Sequence, residues 1–271
     1  MNIKSLDFSV PKAVTTFLSG WGMEISDQEF SKVNNYGGRR SFVRQLQGSA
    51  LFVFLYREQN PIKLILNKEL FLYHHNGELA KKIEWWATKH LFASPNDLLG
   101  LIGLELLDKL AKQIDLAESS IEALEERILD NPQKPQQVEI FRLHRKAIYL
   151  KKQLNQYLSL FVTCKEQTQV WDELIVRVQA ELENARQVVE LTENLREAYQ
   201  ASVDNRLNDI MKLLTILATV LLPINLLTSF FGMNFERMPL IHRAYGLDVF
   251  YAVSAAILIG SFVYFRRRNW F

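Results

Sequence analysis

The side chains best placed to do chemistry lie toward the C-terminal end of this 271-residue chain. Asn225 sits inside the apolar run 210–231. Gly232, Met233, Asn234 and Glu236 follow its end, and Asn208, Asp204 and Glu197 precede it. Counting back from Asn234 and Gly232 at the seven-residue period of a helix packed in a ring gives Ser229, Asn225, Leu222, Ala218, Leu214 or its neighbour Thr215, Met211, Asn208, Asp204 and Glu197. That spacing places them on one face of a helix. The face is polar at one end, apolar in the middle and polar or acidic at the other. A ring of neutral amides can hydrogen-bond the waters of a hydrated cation without the deep well of a carboxylate ring. A narrow apolar stretch closes by dewetting, and acids at a mouth raise the local cation concentration. An amide in the middle of an apolar run is costly in lipid and so faces protein or water, which makes Asn225 the strongest single residue.

Two apolar runs must position this face. Residues 210–231 have the roughly 20 residues a helix needs to cross a bilayer, and 247–265 supply a second span. Residues 232–246 form a tight loop between them, and 266–271 a basic tail. The pair takes about a fifth of the chain, leaving a soluble part large enough for its own core. Two spans cannot enclose a path, so a path requires several copies around an axis. The residues 266–268, all arginine, with Arg206 and Lys212, place both termini on the cytoplasmic side of the cell membrane, although Arg237 and Arg243 in the outer loop blur the bias. The N-terminus lacks the apolar core of a secretory signal. The single cysteine, Cys164, excludes an intramolecular disulfide and suits a reducing compartment. A net charge of +2, with no basic patch interleaved with aromatics, gives no sign of a nucleic-acid partner.

The fold class expected is α+β, with a small sheet in a cytoplasmic domain, a long helical hairpin and stalk, and two C-terminal transmembrane helices. Residues 1–100 read as an α/β domain. Its first 45 residues carry scattered glycines and no sustained period, which reads as short elements joined by turns. Residues 50–56, 62–66 and 70–74 read as strands whose near-continuous apolarity calls for cover on both faces. A helix follows at 78–91, and Ser94-Pro95-Asn96-Asp97 is a stop and N-cap. Residues 101–209 read as hairpin and stalk. Leu107, Leu110, Ile114, Ala117, Ile121, Leu124 and Ile128 form one seam, and Ile140, Leu143, Ala147, Leu150, Leu154, Tyr157 and Phe161 the other. Pro132 and Pro135 turn the chain between them. A third helix from 169 to 231 would be on the order of 90 Å long. Exposed charges such as Glu122, Glu125, Glu126, Arg142, Arg145 and Lys146 read as solvated helix faces. The histidines do not form a metal site, and no nucleophile triad, P-loop or paired-carboxylate pattern appears, so no enzyme activity and no cofactor are expected.

The triplet Gly232-Met233-Asn234, followed by Phe235-Glu236 and Met238-Pro239, ends the first of two C-terminal spans behind a long charged helical region. With the basic tail this resembles the CorA family of magnesium and divalent-cation transporters. The resemblance runs from about Leu104 onward and is strongest over 196–239, where residues 205–216 look like the family's stalk-to-membrane junction. It implies a homopentamer lined by the first span, with Gly232, Met233 and Asn234 as selectivity filter and Glu236 at the outer mouth. The cargo implied is a hydrated divalent cation, foremost Mg²⁺, which gives up its water reluctantly and would be held by Asn234 through that water. Regulation by intracellular Mg²⁺ at subunit contacts is also implied, with Asp172, Glu173, Glu181 and Glu183 as candidate contributors. The chain departs from the family at Leu240-Ile241, where magnesium-type members commonly carry Glu-Leu, and its loop adds His242 and Arg243. A basic mouth lowers the local divalent concentration. This leaves open a Zn²⁺- or Co²⁺-preferring or proton-coupled transporter, or a non-conducting membrane-anchored scaffold.

Overall fold

A computed structural model describes residues 2–35, 40–46, 50–55, 61–74, 78–89, 91–233, 245–268 and 270. The elements in order are β1 (Asn2–Ser5), α1 (Pro11–Ser19), α2 (Asp27–Asn34), β2 (Phe42–Gln45), β3 (Leu51–Leu55), β4 (Ile62–Leu66), β5 (Leu70–His74), α3 (Glu78–Thr88), α4 (Pro95–Asp130), α5 (Lys134–Cys164), α6 (Gln169–Phe231) and α7 (Gly246–Arg267). They divide into two compact units, Met1–Glu197 and Ala198–Phe271, with the division inside α6.

In the first unit the five strands run in the order β1-β5-β4-β3-β2. β1 pairs parallel with β5 and the others pair antiparallel. The three apolar runs become the central strands. Phe52, Ile65 and Leu72 share one face of the register and pack into a cluster with Phe8, Leu18 and Phe30 from the α1–α2 region. Val53, Leu64 and Tyr73 are buried on the opposite face. Cover on both faces explains why these strands lack the apolar–polar alternation of a half-exposed sheet. The early glycine-bearing segment contributes β1, α1, α2 and β2, and both of its strands are edge strands, short and largely unburied.

The helical part follows its seams. Ser94 caps α4 by accepting from the Asp97 amide at 3.0 Å, and the Asp97 carboxylate accepts from the Ser94 amide at 3.1 Å, the reciprocal pair of a capping box. Every seam residue of α4 from Leu107 to Ile128 is buried. So are Ile140, Ala147, Leu150, Leu154, Tyr157 and Phe161 on α5, while Trp171, Leu174, Val178, Leu182, Ala185, Val188 and Leu195 line the buried stripe of α6. Each large apolar side chain withdrawn from water stabilises by about 1.5–3 kcal/mol before chain entropy is counted. Glycine brings α4 close to its neighbours. A Cβ on Gly103 would stand 2.7 Å from Leu174 Cδ2 and 3.0 Å from Phe161 Cζ, and one on Gly100 would stand 2.8 Å from Val170 Cγ1. Arg177 to Asp108 at 2.6 Å and Arg127 to Glu139 at 2.6 Å tie the outer surfaces of the same helices.

The second unit holds the remainder of α6 together with α7. Both helices are long and apolar enough to cross a membrane, and none of the apolar window of α6 is buried within the chain.

Candidate functional site

The local geometry of the second unit decides which side of α6 is left open. Lys212, Ile216, Val220, Pro223, Ile224, Leu227 and Phe231 are half-buried, and they recur at three and four residues. On α7 the covered positions are Phe250, Ser254, Ile257, Ser261 and Phe265, again at helical spacing. The two stripes meet at both ends. Phe231 and Phe250 stack edge to face with ring centres 5.4 Å apart. At the other end Trp270, just past α7, borders a cleft that Asn205, Asn208, Asp209, Met211, Lys212 and Thr215 of α6 also line. α7 therefore runs back along the Lys212–Ile216–Val220–Leu227 side of α6. Ser254 and Ser261 are the small residues of its covered stripe, as close approach of membrane helices favours.

The residues expected to do chemistry lie on the other side. At 3.6 residues per turn, Met211, Leu214, Ala218, Leu222, Asn225 and Ser229 centre about 180° around α6 from the stripe that faces α7. Met211, Leu214 and Leu222 are 64%, 60% and 67% exposed, and Ala218, Asn225 and Ser229 are exposed as well. Three threonine hydroxyls of the span are satisfied within the helix: Thr215 donates to the Met211 carbonyl at 2.8 Å, Thr219 to that of Thr215 at 2.7 Å and Thr228 to that of Asn225 at 2.9 Å. The Asn225 amide differs, with no hydrogen-bond partner among the described residues. Pro223, inside the helix, has no N–H to donate to the Thr219 carbonyl, which loses its usual helical partner a little over three turns from the helix end.

Asn208 and Asp204 are exposed on the same helix in this unit, and Glu197, exposed, is the last residue of the first unit. Gly232 and Met233 directly follow α6 and are exposed, with the Gly232 amide donating to the Thr228 carbonyl at 2.9 Å. A Cβ there would lie 3.1 Å from that carbonyl oxygen, so the close backbone approach is itself a reason for glycine. Asn234 and Glu236, with Arg237, Leu240, His242 and Arg243 of the loop, lie outside the described residues. The candidate regulatory acids have partners within the chain. Asp172 pairs with Lys165 at 2.8 Å, Glu183 with Arg186 at 2.9 Å and Glu173 with Arg177 at 3.9 Å, while Glu181 accepts from Asn184 at 3.2 Å. Among the described residues no three His, Cys, Asp or Glu side chains converge on a metal-sized site.

Trp270 is the residue of this region that sequence reasoning passed over. Its signal was an aromatic following three arginines at the end of an apolar run, the position at which tryptophan concentrates in membrane proteins.

Comparison with known proteins matches this architecture. Residues 46–267, well over half of the chain, match the family described as CorA-like Mg²⁺ transporter protein, and the chain belongs to that family. It is 29% identical over 178 residues to the cobalt/magnesium transport protein CorA of Thermotoga maritima, a match covering 61% of this chain and 50% of that protein, so it spans about half the length of that relative. Two solved structures share the fold at 18% identity. The full-length CmaX protein superposes with a TM-score of 0.72 over 98% of this chain and 87% of its own. The complete CorA magnesium transporter from Methanocaldococcus jannaschii gives 0.68 over 99% and 90%. The shared fold is a mostly helical soluble domain with a small sheet and two C-terminal helices able to span a membrane.

Proposed function

We propose that five copies of this chain form a channel in the cytoplasmic membrane, both termini inside, that passes hydrated divalent cations, foremost Mg²⁺, down their electrochemical gradient. The observation that carries this reading is the unpartnered amide of Asn225, exposed in mid-span on the side of α6 turned away from α7. A polar group at that depth needs water or protein, and in a ring of five the side away from α7 surrounds the axis. On this reading Gly232, Met233 and Asn234 form the outer filter, with Asn234 holding the ion through its water shell and Glu236 gathering cations outside it. Asn225 forms a second amide ring. Leu222, Ala218, Leu214 and Met211 make the apolar gate, and Asn208, Asp204 and Glu197 receive the ion at the cytoplasmic end. The Thermotoga relative's description as a cobalt/magnesium transport protein supports Co²⁺ as a second cargo.

The test is Mg²⁺ flux into proteoliposomes loaded with a fluorescent indicator, with Co²⁺ and Zn²⁺ in parallel and external pH varied. Wild type carries Mg²⁺, and Asn225→Leu and Asn234→Ala each lower flux by about tenfold or more, the scale set by losing one good hydrogen bond to the permeating shell. Flux of Zn²⁺ or Co²⁺ in preference to Mg²⁺, or flux that follows the proton gradient, moves the assignment to the corresponding transporter. Folded oligomers that move none of the three ions overturn transport and leave the membrane-anchored scaffold.

A further inference from the structure

The cleft beside Trp270 borders the ion path proposed above through Asn208 and Met211, but Lys212, Asn205 and Trp270 have no part in that path, and they suit a different ligand. It measures about 580 Å³, within the roughly 300–1,000 Å³ that small-molecule sites occupy. It is lined by Asn205, Asn208, Asp209, Met211, Lys212, Thr215 and Trp270. Lys212 is the last charged residue of α6, near the start of its apolar run, and residues 266–268, all arginine, directly follow the apolar run of α7. The cleft therefore lies where both spans leave the hydrocarbon. Within 204–215 and 266–270 the cations are Arg206, Lys212, Arg266, Arg267 and Arg268, and the carboxylates are only Asp204 and Asp209. Asp209 lies 2.9 Å from the Lys212 ammonium, an exposed pair of small worth that leaves two of the three lysine N–H donors for another acceptor. Trp270 is held by the Phe265 ring, 5.3 Å away, and by its own amide donating to the Phe265 carbonyl at 3.2 Å. The Arg268 guanidinium lies 5.8 Å from the Tyr264 ring, which keeps that charge at the same level.

The geometry points to a binding site for the phosphodiester headgroup of an anionic phospholipid, with the Lys212 ammonium and the Asn205 amide on the phosphate oxygens and Trp270 against the glycerol and first acyl carbons. A basic recess between spans at the cytoplasmic face is the setting in which anionic headgroups bind. The site rests on α6 and α7 lying in a bilayer, and the residues that test it, Lys212 and Trp270, are outside the proposed ion path, so its failure and that of the channel reading are separable.

Native mass spectrometry of the full detergent-solubilised chain tests this with three probes: dioleoyl phosphatidylglycerol, dioleoyl phosphatidylcholine and inorganic phosphate. Wild type should retain phosphatidylglycerol about tenfold more than phosphatidylcholine and retain inorganic phosphate negligibly. Lys212→Gln should lose about fivefold of that preference, the worth of one cation near an anionic surface. Lys212→Arg should keep it, and Trp270→Ala should weaken both lipids alike. Equal retention of the two lipids by wild type, or an unchanged preference in Lys212→Gln with native oligomer mass and helicity, overturns the site. Retention of inorganic phosphate as strong as that of phosphatidylglycerol makes it a soluble-anion site and overturns the lipid assignment.

Discussion

Asn225 and Cys164 show how the surroundings of one side chain set its chemistry. Asn225 keeps a free amide in an apolar span because its side of α6 faces away from the helix that returns. Cys164 closes α5 at 4% exposure, and burial pushes its thiol from the ordinary 9.0 up to about 11. The folded chain thus holds this proton more tightly than the unfolded one, so the associated stability is complete below about pH 9 and is lost as pH climbs toward 11. Lys63 works in the opposite direction. Its ammonium donates to the Asn34 carbonyl at 3.1 Å and Oδ1 at 2.8 Å, and burial lowers its pKa, so its release of a proton below 10.5 raises stability with pH. The difference between wild type and Cys164→Ala cancels the lysine contribution. Urea midpoints from pH 8 to pH 11 should fall more steeply in wild type than in Cys164→Ala, and equal slopes would remove the thiol from the account. The native thiol should also react slowly with alkylating reagents near neutral pH, since the thiolate is the reactive form.

At the scale of elements, the close contacts of α4 depend on what its glycines exclude. Leu174 and Phe161, which a Cβ at Gly103 would strike, are both fully buried. Forcing a methyl group between them costs about 1–3 kcal/mol, and alanine's better helix propensity returns at most about 1 kcal/mol. Gly103→Ala should therefore be net destabilising in denaturant titrations followed by circular dichroism. Gly100→Ala should be close to neutral, because the half-buried Val170 that it meets can turn aside. Equal effects at both positions would count against this packing of α4 on α5 and α6.

For the whole molecule, the decisive fact is that one chain leaves an entire side of its first span uncovered, from Met211 to Ser229. A hairpin of two helices has no inside, so on the proposed channel reading the Asn225 amide meets water or protein only when copies assemble around it. Light scattering on the detergent-solubilised protein should report five 31.6 kDa chains once detergent mass is subtracted. A stable monomer or dimer that still conducts would require a path other than the Asn225 face.

Much of this architecture could be read from the sequence because its signals are local and periodic. The seams of α4 and α5, the Ser94 cap, the proline turn and the two apolar runs depend only on residues a few positions apart. The three central strands were legible for the same reason, as short apolar runs between turn residues. β1, α1, α2 and β2 were not, because β1 is a short polar segment whose place is assigned by β5, its partner nearly seventy residues along the chain. The Met211–Leu214–Ala218–Leu222–Asn225 stripe could be written down from spacing alone, but an apolar helix has several such stripes and periodicity does not choose among them. That choice belongs to tertiary structure: α7 covers the Lys212–Ile216–Val220–Leu227 side through Phe231 and Phe250 at one end and the Trp270 cleft at the other, and the side opposite is left uncovered. Spacing establishes which residues share a face, whereas only packing between distant segments establishes where that face points.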